Sequence, residues 1–142
     1  MGENLPVTFG ARKGTILRGA LTIRRIFRLK KHMSKRLPIL LNLLEANPSD
    51  AFALFAAAKE YEGMNDAVQA LHYYEKLRAT DPAYVGLYYH LGKLYERLNN
   101  PDGALDAYRQ GCAAARQAGD QHAFNELMGA RLNLDHPHDD EI

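Results

Sequence analysis

Between residues 48 and 116 the apolar positions recur at intervals of three and four, the spacing of one face of an α-helix, and no β-strand is needed anywhere. Pro48-Ser49-Asp50 supplies a turn and a helix N-cap, after which Leu54, Ala57, Ala58 and Tyr61 mark one helical face that is expected to end near Gly63. Asn65 or Asp66 stands where it can cap a second helix, in which Ala67, Ala70, Leu71, Tyr74 and Leu77 keep the spacing until Thr80-Asp81-Pro82 stops it. The pattern then begins again. It predicts a helix over about residues 84–98, a turn at Asn99-Asn100, Pro101 in a first turn, and a further helix from about Asp102.

The recurrence has a fixed period. Sliding the chain against itself by 34 residues sets Leu54 on Tyr88, Ala58 on Gly92, Lys59 on Lys93, Tyr61 on Tyr95, Asn65 on Asn99, Ala70 on Ala104, Leu71 on Leu105 and Tyr74 on Tyr108, with Pro48 on Pro82 in the same register. The physical logic follows from size. A small Ala58 or Gly92 lets a paired helix come close, a small Ala70 or Ala104 makes the reciprocal contact, and the tyrosines fill the remaining space.

These residues resemble the tetratricopeptide repeat, whose pattern is an aromatic, then Leu-Gly, then Tyr on a first helix, and Ala, an aromatic and Pro on a second. The second repeat carries it as Tyr88, Leu91-Gly92, Tyr95, Ala104 and Tyr108; the first carries a weaker form as Leu54, Ala57-Ala58, Tyr61, Ala70, Tyr74 and Pro82. The resemblance covers residues 48–116, roughly half the chain, and departs at Leu77, bulkier than usual, and at Arg116, where a counterpart of Pro82 would stand. It implies an all-α fold of the small bacterial type with two repeats and flanking helices. That fold is a right-handed α-α superhelix of antiparallel helix pairs, with about five helices plus a basic N-terminal arm.

The flanks extend the stack. Without a proline at Arg116 the last repeat helix is expected to run to about Gln117 and stop at Gly119, and Asp120 then caps a final helix through Ala123, Leu127 and Ala130 to about Leu134. Residues 38–46 are apolar nearly all round, as expected of a helix packed against the first repeat. Repeats bury their faces against one another, so both flanking helices are expected to be needed for stability. The organisation read from the chain is a basic extension at 1–33, a helical domain at 34–134 and an acidic, histidine-containing tail at 135–142.

Charge changes the picture only at the ends. The 142 residues carry 18 Lys and Arg against 17 Asp and Glu. Ten of those basic residues and only Glu3 among the acids fall in residues 1–36. The segment 1–32 reads as disordered or a misassigned start, with a membrane-surface helix over residues 16–29 and a basic, acid-poor targeting peptide as its functional alternatives. No apolar run approaches the roughly twenty residues of a membrane span, and a single cysteine, Cys112, excludes an intramolecular disulfide, so a cytoplasmic location is expected. Cys112 itself reads as a small buried apolar residue. His136 and His138 sit among acids in a tail that reads as solvated rather than metal-binding.

No Gly-rich phosphate loop, His-Glu-x-x-His motif or nucleophile elbow occurs, so the chain is expected to be no enzyme and to need no cofactor, metal or small-molecule substrate. In tetratricopeptide proteins the first helix of each repeat lines a concave groove that holds peptides or helices. The resemblance thus implies partner contacts at Phe52, Phe55 and Lys59 from the first repeat and Tyr89, His90 and Lys93 from the second. Aromatics interleaved with lysines suit an apolar peptide carrying an acid; the alternative for Phe52 and Phe55 is packing against the N-terminal helix. A carboxylate clamp for a chain terminus is not expected, because Phe55, Ala56 and His90 occupy several of its positions. The expected partner is a protein or peptide, with a cytoplasmic adaptor or assembly subunit as the leading function. A homo-oligomer through Leu37, Ile39, Leu40, Leu43 and Leu44, or an anionic-surface or nucleic-acid binder through the basic arm, is the alternative.

Overall fold

A computed structural model describes residues 34–136, and all regular structure among them is helical. The segment 1–33, with its targeting and surface-binding readings, and the tail 137–142 lie outside the described residues. The six helices are α1 (Leu37–Ala46), α2 (Ala51–Gly63), α3 (Ala67–Thr80), α4 (Gly86–Arg97), α5 (Pro101–Ala118) and α6 (Gln121–Asp135). The number is one above the approximate expectation. α4 is shorter than expected at its start because Tyr84 and Val85 remain in the preceding turn.

The turns show why the 34-residue period is structural. At the end of α2 the backbone N–H of Asp66 bonds the carbonyl of Tyr61 and that of Asn65 bonds Glu62, closing the helix through an Asn65 at φ 64°. Asp66 then caps α3, its carboxylate accepting from the backbone of Gln69 at 3.1 Å. One period later Asn99 at φ 56° and Asn100 do the same for α4 and α5, Asn100 accepting from Gly103. Asparagine enters the left-handed region more readily than other residues with a Cβ. Gly119 and Asp120 build this turn a third time between α5 and α6.

The helices pack in sequence order: α2 on α3, α4 on α5, α6 on both α5 and α4, and α1 on α2. The core is a line of small residues and tyrosines. Ala57, Ala58, Ala70, Tyr74, Leu91, Ala104 and Tyr108 are fully buried, and the small size of Gly92 is obligatory, since a Cβ there would lie 2.2 Å from the Tyr108 ring. Leu77, the bulkier departure from the family pattern, is buried as well, and Cys112 is buried, its thiol pushed up by that burial. α1 packs against the first repeat, as its apolar residues lead one to expect. Leu37, Leu40 and Leu44 face the core, and only Ile39 and Leu43 stay exposed.

Candidate functional site

The residues singled out for a groove fall on α2 and α4, and the structure brings five of the six into one connected patch. His90 on α4 is its centre. The ring of Phe55 meets His90 edge-on with centroids 5.6 Å apart, Tyr89 meets it at 6.0 Å, and Tyr74 lies parallel to it at 6.4 Å from beneath. Lys59 reaches across from α2, its ammonium 3.3 Å from His90 Nδ1. An ammonium can only donate, so Nδ1 is the acceptor and the neutral ring carries its proton on Nε2. Burial and the neighbouring Lys59 charge hold the His90 pKa below the ordinary imidazole value.

Lys93 joins through Tyr89, with its ammonium 5.9 Å from the ring centroid. Phe52 stands apart. It is 66% exposed and makes no ring contact with the others. Phe55, by contrast, is anchored by Tyr84 at 5.4 Å and Tyr74 at 6.1 Å as well as His90, so its packing is against the second half of its own repeat and the start of the next.

Beneath the patch runs a polar ladder. Glu62, at the end of α2, accepts from the Tyr74 phenol at 2.6 Å, pairs with Lys59 at 3.2 Å, and binds Arg97 of the following repeat at 2.5 Å. One period later Glu96 accepts from Tyr108 and pairs with Lys93 at 3.2 Å. Burial acts to raise the Glu62 pKa, but the hydrogen bonds from Tyr74 and Lys59 and the charges of Lys59 and Arg97 outweigh it and leave it below the usual carboxylate value. The phenols move the other way. Burial, then the bond to glutamate, pushes Tyr74 and Tyr108 far above the ordinary tyrosine value, and burial with a bond to Glu75 raises Tyr95 to about 12. These phenols stay protonated as donors.

The same architecture is known from solved structures. The chain is 48% identical to the crystal structure of a tetratricopeptide repeat domain protein from Salinibacter ruber, over 61% of this chain and 96% of that one, with a TM-score of 0.58. Against a solution NMR structure of a tetratricopeptide repeat domain protein from the same organism, the identity is 44% over 68% of this chain and 97% of that one, at a TM-score of 0.61. The chain belongs to the tetratricopeptide repeat family. A protein of Bordetella parapertussis, solved in solution, is 25% identical over 77% of this chain and all of its own, with a TM-score of 0.63. Neither a family model nor a curated protein matches.

This tetratricopeptide protein has a further helix, α6, beyond its two repeats. α6 packs on α4, and the charge of Glu126 on α6 acts on His90. The signal was present in Asp120, which caps α6 as Asp50 caps α2, each accepting from the backbone three residues on. Glu62, Glu96 and Arg97 were also missed as site residues, although Glu62 and Glu96 stand one period apart. Among the described residues no three His, Cys, Asp or Glu side chains gather where a metal ion could sit, and no helix is long and apolar enough to cross a membrane.

Proposed function

We propose that this tetratricopeptide protein is a non-enzymatic, cytoplasmic adaptor or assembly subunit, whose domain at 34–134 holds a peptide or segment of a partner protein on the face formed by α2, α4 and α6. The observation that carries this reading is the joined surface of Phe55, Lys59, Tyr89, His90 and Lys93, fixed from below by Glu62 and Glu96 rather than packed away in the core. Phe52 extends it outward as an exposed ring.

The charges refine the ligand. Each lysine is paired with a glutamate of its own helix, so the attraction for an acidic ligand is short-ranged and the rings carry most of the affinity. A ligand with one apolar side chain over Phe52 and Tyr89 and one acceptor for His90 Nε2 or a lysine fits this surface. The test is affinity capture from a native lysate by the full chain and by a variant carrying Phe52→Ala, Tyr89→Ala and Lys93→Ala, with retained proteins identified by mass spectrometry. The reading predicts a protein lost with the variant and kept by Lys76→Ala with Arg109→Ala, on the exposed faces of α3 and α5. Equal retention by both variants, each with native helix content, contradicts it.

A further inference from the structure

The two open ends of the stack are complementary halves of one repeat. α1 stands where the second helix of a preceding repeat would stand: one period separates Ile39 from Tyr73, Leu40 from Tyr74, Leu43 from Leu77 and Pro48 from Pro82. α6 begins at Asp120 with the cap of a first helix, and beyond it Phe124, Met128 and Leu132 fall at the offsets of Leu54, Ala58 and Glu62 beyond Asp50. Among the described residues the array thus begins with a helix in the second-helix register and ends with a helix in the first-helix register.

Exposure follows the same division. In the complete repeat, Tyr73 stacks on Tyr61 at 5.4 Å, while Leu77 and Ala58 are fully buried. At the ends, Ile39 is 62% exposed, Leu43 47% and Leu132 51%, and Phe124 and Met128 are only half-buried. Residue type matches too. The polar pair that closes each complete repeat, Glu62 with Tyr74 and Glu96 with Tyr108, is replaced at both open ends at once, by Leu132 on α6 and Leu40 on α1. Terminal repeats of a soluble array ordinarily present a polar outer face; here Ile39, Leu43 and Leu132 stand exposed among polar residues such as Asn42, Glu45 and Asn133.

We propose that a second copy of this chain covers each end: α6 of one copy packs on α1 of the next as α2 packs on α3, giving head-to-tail association. Antiparallel docking brings the C-terminal end of α6, where Asp135 pairs with Arg131 at 3.6 Å, against the N-terminal end of α1, where Arg36 pairs with Glu60 at 3.8 Å, Lys35 adds a positive charge and the first turn has no acid. Such a contact is heterologous, so it propagates beyond a dimer. The inference is independent of the groove, which lies on another face of the ligand-holding helices and is read by a different experiment.

The test is sedimentation velocity on the full chain across a wide concentration range, with Ile39→Lys/Leu43→Lys blocking one end and Leu132→Lys blocking the other; all three positions are exposed, so the fold is retained, as circular dichroism checks. The expected result is a mass that climbs past the dimer for the wild type, a monomer for each blocked variant alone, and a 1:1 dimer when the two variants are mixed, because one intact junction remains. A wild type monomeric throughout overturns the proposal, and so does an α6-blocked variant that still dimerises by itself, which would mean that α1 pairs with its own copy.

Discussion

A Cβ placed on Gly92 would stand 2.2 Å from Cε1 of Tyr108, inside the van der Waals surface of a fully buried ring. The closeness of α4 and α5 depends on that missing atom. Gly92→Ala is therefore expected to destabilise the protein by about 1–3 kcal/mol through overpacking. Gly129→Ala, in a helix position with nothing within 4 Å of the added carbon, is expected to stabilise it by roughly 0.5–1 kcal/mol through helix propensity. Urea unfolding of the two variants checks the pair; equal effects would mean that the helices are not held at this distance.

The turn asparagines offer a backbone test. Asn65→Gly and Asn99→Gly keep the left-handed φ at no steric cost and are expected to leave stability within about 1 kcal/mol of the wild type, whereas a β-branched residue there is expected to lose about 1–2 kcal/mol. Thermal melts of Asn65→Gly and Asn65→Val separate these outcomes.

The Tyr74–Glu62 bond ties stability to acid. Glu62 has a folded pKa below its unfolded one, so it contributes stability above the unfolded value, and that contribution is lost as pH falls through the folded value. Tyr74→Phe removes the hydrogen bond to the charged group, an expected loss of about 1.5–3 kcal/mol at neutral pH, and it should shrink the acid-dependent part of the stability curve. A curve unchanged in shape between pH 3 and 6, roughly the range spanned by carboxylate titration, would count against the ladder.

His90 titrates in the same direction at higher pH. Its folded pKa is depressed, so stability is complete above the ordinary imidazole value of about 6.5 and declines as pH falls from there towards the folded value. Lys59 opposes protonation, and Glu62 and Glu126 favour it. His90→Gln is expected to flatten this limb, and an NMR titration of the imidazole reports the depressed value directly.

How much of this was legible follows from which interactions are local. The helix boundaries, the caps at Asp50, Asp66 and Asp120 and the obligate small residue Gly92 could be read because each depends on neighbours in the chain or on the 34-residue period. The role of Glu62 could not, because its partners arrive from Tyr74 on the next helix and Arg97 on the next repeat, and a glutamate near a helix end reads as solvated. Phe52 and Phe55 look alike in sequence, three positions apart. The turn between α3 and α4 brings Tyr84 onto Phe55 and half-buries it, while Phe52 stays open. α6 was legible from its Asp120 cap, but its packing on α4 was not, because α5 runs four residues longer than α3 and shifts α6 out of the strict period.

Partner binding on the face of α2, α4 and α6 can be read residue by residue by amide chemical-shift mapping, with the isotopically labelled full chain titrated with the captured partner. Perturbations are expected to concentrate at Phe52, Lys59, Tyr89, His90, Lys93 and Glu126. Perturbations confined to the outer faces of α3 and α5, around Lys76 and Arg109, with those six unmoved, would contradict it.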